Sequence, residues 1–151
     1  MMYYTHIAFA LFSSLIALKF LNVSNPYLFL LIACFVSLLP DIDNKDSKLG
    51  KKVKFISFFF EHRGILHTIF PPILLFILFS YLNYNLFALA VLIGYLSHIL
   101  IDGLTLEGIN FLHPISSFRI SGFVRTGAFL ETIFFLLFVG LDLVYITKMI
   151  F

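Results

Sequence analysis

The chain has 151 residues, 61% hydrophobic and 12% charged, with a formal net charge of +2 and a mean hydropathy of +1.04. This composition lies far outside the range of water-soluble globular domains and points to an integral membrane protein. A single cysteine excludes a disulfide framework, and no repeat, low-complexity tract or long linker divides the chain, so residues 1–151 are expected to form one domain.

Apolar stretches at roughly 3–21, 26–40, 65–82, 86–104 and 128–149 predict five transmembrane helices in an all-α, polytopic membrane bundle. The first stretch lacks a basic leader and a small-residue cleavage site, so it reads as a retained helix, with His6 near its start. The second holds Cys34, expected to pack as a small hydrophobe. At about 22 Å it is shorter than a hydrocarbon core of roughly 30 Å, so its end is expected to lie below the headgroups. That end reads Leu39-Pro40-Asp41-Ile42-Asp43. Pro40 helps stop the helix, and two aspartates two apart form a hard-ligand pattern suited to a divalent cation, although aspartate is also common in turns.

Residues 48–60 place Leu49, Val53, Ile56 and Phe60 at helical spacing among lysines. They predict either an amphipathic helix lying in the interface or a basic loop that sets topology. Glu61-His62-Arg63-Gly64-Ile65-Leu66-His67-Thr68 comes next, just before Pro71-Pro72. On an unbroken helix His62 and His67 would sit about 140° apart, so a shared ion requires a break near Gly64. His67 is the better ligand. His62 and Arg63 read as groups that support the centre or hold an anion, since a guanidinium fits phosphate in bidentate fashion.

The run Gly94-Tyr95-Leu96-Ser97-His98-Ile99-Leu100-Ile101-Asp102 puts His98 and Asp102 at i, i+4 on one helix face, where they can share a metal or simply pair. Beyond it, Glu107, His113-Pro114, Arg119, Gly122 and Arg125 predict a short hairpin-like lid whose arginines are candidates to hold an anionic substrate. Gly127-Ala-Phe-Leu-Glu131 opens the last helix, with Glu131 a candidate ligand or general base.

If the chain crosses five times, eight of its ten Lys and Arg, all five His and seven of its eight acids fall on the side of the N-terminus, Asp142 being the acid left over. The positive-inside bias makes that side cytoplasmic. His6, Asp41, Asp43, His67, His98, Asp102 and Glu131 then lie at the same-side ends of five helices, where an antiparallel bundle gathers them. Carboxylates and imidazoles concentrated in an apolar protein call for bound cations: zinc, or alternatively manganese, as one or two ions. Topology accounts for the basic residues, so neither nucleic acid nor a protein partner is expected, and membrane lipids are the natural surroundings.

These motifs together resemble the YdjM-like family of membrane-bound metal-dependent hydrolases: Leu-Pro-Asp-Ile-Asp at 39–43, His-Arg-Gly-x-x-His-Thr at 62–68, Gly-Tyr-Leu-Ser-His-x-x-x-Asp at 94–102 and Thr-Gly-x-x-x-Glu at 126–131. By motif that family is similar to the zinc-dependent phospholipase C and P1 nuclease superfamily of all-helical phosphodiesterases. The resemblance implies metal-ligand roles for Asp41 or Asp43, His67, His98 and Asp102, with His6 matching an early histidine. Taken with the residue chemistry, the expected metal set is His6, Asp41, Asp43, His67, His98 and Asp102, the expected catalytic residues are Glu131, Asp43 and His62, and the expected substrate contacts are Arg63, Arg119 and Arg125. The chain departs from the superfamily pattern in having no tryptophan and in carrying Gly127 where a late histidine would stand. One or two ions are therefore expected, not a three-metal cluster. The expected activity is hydrolysis of a phosphoester in a lipid or lipid-linked substrate by metal-activated water at the cytoplasmic face of a prokaryotic-type plasma or inner membrane. The competing expectation is a cation or proton transporter using the same cluster, which usually requires polar access from both sides and often a repeat.

Overall fold

A computed structural model of the protein describes residues 1–44 and 63–150. Among these residues it has five α-helices in chain order: α1 Tyr3–Ala17, α2 Pro26–Val36, α3 Phe70–Tyr81, α4 Asn85–Gly103 and α5 Phe129–Ile150. Two 3₁₀ turns, Pro40–Asp43 and Ile65–His67, lie between α2 and α3. The expected interfacial helix at 48–60 and His62 lie outside the described residues.

Local chemistry sets the helix starts. Asn25 accepts the Leu28 N–H at 3.1 Å and Pro26 occupies the first turn of α2, a capping residue before a residue with no N–H to satisfy. Pro71 and Pro72 likewise sit at the opening of α3. There they start a helix instead of kinking one, because first-turn N–H groups have no intrahelical partner anyway.

The expectation of five spanning helices is corrected by length. Among the described residues, three segments are long and apolar enough to cross a membrane: Pro26–Asp43, Asn85–Gly103 and Phe129–Met149. α1 has 15 residues and α3 has 12, so at 1.5 Å per residue they reach only about 22 Å and 18 Å of a core roughly 30 Å thick. Sequence apolarity runs past the ends of these helices into turns, at residues 18–21 after α1 and just before Phe70 at the start of α3.

α4 is the central helix, packed against α1, α2 and α3, while α1 also packs on α2 and α5. Ala8, Ile101, Val124 and Phe138 join α1, α4 and α5, and Phe29, Ala33 and Ala90 join α2 to α4. A Cβ on Gly94 would run into the Ala33 carbonyl oxygen, so only glycine lets α2 and α4 approach this closely. That close approach sets the depth at which the two helix ends meet. Four residues further along each chain segment, the Ser37 carbonyl touches His98.

After α4 the chain forms the hairpin-like segment expected from the sequence. Ile109 and Ile120 exchange N–H···O bonds of 2.8 and 2.9 Å, and Thr105 bridges to Val124. No continuous strand forms among the described residues.

Candidate metal centre

Four separate stretches of chain meet at one end of the bundle: the start of α1, the 3₁₀ turn after α2, the 3₁₀ turn before α3, and the end of α4. His6, His67 and His98 are fully buried, and Asp43 and Asp102 are 2% and 1% exposed. Burial of this many ionisable groups is tolerable only where they compensate one another or a cation.

Each residue of the Gly-Tyr-Leu-Ser-His run that faces the bundle has a local task. Gly94 admits α2, the Tyr95 hydroxyl donates to the Leu66 carbonyl at 2.8 Å, and Ser97 Oγ donates to the Gly94 carbonyl at 2.7 Å. Tyr95 thereby ties the His67 turn to α4. The break expected near Gly64 is present: Arg63 has φ 62°, in the left-handed region, and a 3₁₀ turn begins at Ile65. The Arg63 N–H donates to Asp43 Oδ2 at 3.0 Å, holding the break in place.

The tautomers of the two central histidines are set by their neighbours. His98 Nδ1 lies 2.6 Å from the Ser37 carbonyl oxygen, which can only accept, so Nδ1 carries the proton. His67 Nδ1 lies 3.1 Å from the Asp43 carboxylate, which likewise places the proton on Nδ1. Both Nε2 atoms then present lone pairs, and these atoms face each other at 3.2 Å. Asp102 Oδ2 lies 3.5 Å from His98 Nε2 and 3.7 Å from His67 Nε2, and Asp41 Oδ1 lies 4.0 Å from His98 Nε2. The Met1 amino group and Arg63 offset part of the Asp102 charge, while the two lone pairs and the Asp41 and Asp102 oxygens turned toward one point form a donor set suited to a cation. Histidines oriented from behind by a carboxylate and a carbonyl are the usual support of metal ligands.

Two groups of donor atoms lie within 4.8 Å of one another: Asp41, His67 and His98, and His6, His98 and Asp102. The His6 ring stacks on His98 at 3.9 Å between centroids, and its Nε2 lies 3.4 Å from Asp102 Oδ1. Neither His6 nitrogen makes a hydrogen bond among the described residues. The residues therefore fit a divalent ion held by nitrogen and oxygen donors. Burial lowers the His67 pKa below the ordinary histidine range, with the Asp43 hydrogen bond opposing it, so the imidazole is neutral and fit to ligate at neutral pH.

The other expected residues take varied places. Arg63, 9% exposed, donates to Thr105 Oγ1 at 3.1 Å and to the Gly108 carbonyl at 2.5 Å, and it pairs with Glu107 at 3.0 Å and with Asp102 at 3.6 Å. Glu131 is buried and accepts from Met2 N at 2.5 Å, Thr5 Oγ1 at 3.0 Å and Gly127 N at 2.6 Å. It thus pins the start of α5 to the start of α1, with Gly127 at φ 78° completing the cap. Arg119 and Arg125 are exposed on the hairpin. Asp142 is buried on α5 among apolar residues, away from the cluster.

Sequence reasoning missed the Ser37 carbonyl, the Arg63–Glu107 pair and the Met1 amino group, which contacts Asp102. A backbone carbonyl leaves no signature in residue identity. A cleft of about 440 Å³, lined by Asp41, Asn44, Arg63, Asp102, Glu107 and Thr126 among others, opens onto the centre.

Comparison with known proteins places the chain in a family. The family model described as "YdjM inner membrane protein" matches residues 1–150. The chain belongs to the YdjM family. It is 34% identical over 101 residues to the uncharacterized protein YvsG of Bacillus subtilis, a match covering 63% of each chain. It is 40% identical over 93 residues to the inner membrane protein YdjM of Escherichia coli, covering 54% of this chain and 47% of that one. The matched region thus spans between about half and two thirds of these relatives. No solved structure matches. Family membership and the apolar helices together establish an integral membrane location.

Proposed function

We propose that this YdjM-family protein is a membrane-embedded, metal-dependent hydrolase that cleaves a phosphoester in a lipid or lipid-linked substrate, with its centre on the cytoplasmic side. The observation that carries the reading is the confrontation of His67 Nε2 and His98 Nε2 at 3.2 Å, flanked by Asp41 and Asp102, at the bottom of an open cleft. Zinc or manganese bound there would act as a Lewis acid and lower the pKa of an attacking water.

The chain's own residues supply the rest. His98 offers a single lone pair and so would serve one ion; His6 and Asp102 are the residues that would hold a second. Asp41, 14% exposed on its side chain and lining the cleft, is positioned to orient the water and take its proton. Arg63 lines the same cleft and binds phosphate oxygens in place of Glu107, since carboxylate and phosphate each offer a pair of anionic oxygens that a guanidinium can engage in bidentate fashion. Asp43 holds His67 in its ligating tautomer. Two helices too short to span support a site close to headgroup depth, which favours a phosphoester carried on a lipid.

The test is release of labelled headgroup from phosphatidylglycerol vesicles by protein loaded with Zn²⁺ or Mn²⁺. Metal-dependent release that falls at least about 100-fold in Asp41→Asn supports the reading. Metal uptake into the vesicles with no headgroup release contradicts it and favours transport.

A further inference from the structure

The opposite end of the bundle carries a second concave site, independent of the proposed hydrolase. Only two basic residues among those described fall at that end, Lys19 just after α1 and Lys148 in the last turn of α5. They are far apart in sequence, yet both line one groove of about 400 Å³. Lys19 Nζ lies 4.2 Å from the centre of the Tyr145 ring, which holds the ammonium at the groove. Leu15, Leu18 and Val23 form part of its apolar wall, and no carboxylate among the described residues lines it. Neither lysine pairs with an acid among the described residues.

An apolar trough rimmed by two ammonium groups complements one class of molecule found at that depth: an amphiphile with an anionic head and an apolar chain. Lysines near helix ends ordinarily reach into the headgroup layer singly. Here the fold brings the two at this face together and leaves an apolar trough between their helices. We infer that this groove binds an anionic phospholipid, its phosphate held by Lys19 and Lys148 and an acyl chain lying along the leucines. The site is built at the ends of α1 and α5 remote from His6 and Glu131, so it is no part of the metal centre.

The test is native mass spectrometry of the detergent-purified full chain with added phosphatidylglycerol, phosphatidylcholine or inorganic phosphate. Each lysine near an anionic lipid is expected to contribute a factor of about five in affinity. The Lys19→Gln, Lys148→Gln double variant should therefore lose phosphatidylglycerol by roughly 30-fold, and each single variant by about fivefold should the double fail to fold. The Lys19→Arg, Lys148→Arg variant should retain it. Equal retention of phosphatidylglycerol and phosphatidylcholine by the parent would overturn the inference, as would undiminished retention by the glutamine variants. Displacement of the lipid by millimolar phosphate, or a second copy of the chain in place of lipid, would also overturn it.

Discussion

Asp102 on α4 and Asp142 on α5 are 1% and 4% exposed, and both lie in helices long and apolar enough to cross a membrane. Their surroundings differ completely. Asp102 has the ring nitrogens of His6, His67 and His98 within 3.4–3.7 Å, the Arg63 guanidinium at 3.6 Å and the Met1 amino group in contact. Asp142 lines an apolar groove with Tyr4, Ile7, Leu11 and Phe135, and its Oδ1 has no hydrogen-bond partner among the described residues. Burial of an acid alone therefore does not make a cation site. What sets Asp102 apart is the convergence of oriented donors from several elements, supplied by the close approach at Gly94 and the turns at Pro40–Asp43 and Ile65–His67.

Breaking the support behind the donors should produce the largest contrast. Asp43→Asn leaves every cleft-facing oxygen of Asp41 and Asp102 in place but removes the carboxylate behind His67, so divalent-metal affinity should fall about 10- to 100-fold. Asp142→Asn should leave that affinity within about twofold, as read by competition with a chelating dye. A weaker but opposite effect is expected on stability. Replacing the isolated carboxyl of Asp142 by leucine removes a buried polar group without a partner and should stabilise the protein by on the order of 1 kcal/mol, measured by thermal unfolding in detergent.

The smallest effect is pH dependence. The folded protein holds His67 below its ordinary pKa through burial, whereas the unfolded chain protonates it at about pH 6.5. The unfolded state thus binds more protons in this window, and stability rises with pH across it. The metal-free protein should keep its full stability above about pH 6.5 and lose it as the pH falls, levelling once folded His67 also protonates. His67→Gln should flatten the curve; an unchanged curve would contradict the assignment.

The sequence carried the site further than it carried the spans. His98 and Asp102 could be paired from their i, i+4 spacing, and His67 could be read as the better ligand of the His62/His67 pair. Asp41 and Asp43 could be grouped but not distinguished. Only the 3₁₀ turn of Pro40–Asp43 turns Asp43 toward His67 and Asp41 toward the cleft. Glu131 read as a ligand or general base because it is an acid at the right helix end; in the structure its carboxylate accepts from the backbone N–H groups of Met2 and Gly127. Span number was overcounted because hydropathy does not reveal where a helix stops: residues 18–21 include Leu18, Phe20 and Leu21 but turn.

The central claim is that Asp41, His67, His98 and Asp102 hold one common divalent ion. Elemental analysis of the detergent-purified protein beside its His98→Ala, Asp102→Ala variant tests it most directly. The account predicts close to stoichiometric zinc or manganese in the parent and little in the variant, with both proteins folded. Equal metal content in the two, or a parent that takes up neither ion when both are supplied, would contradict it.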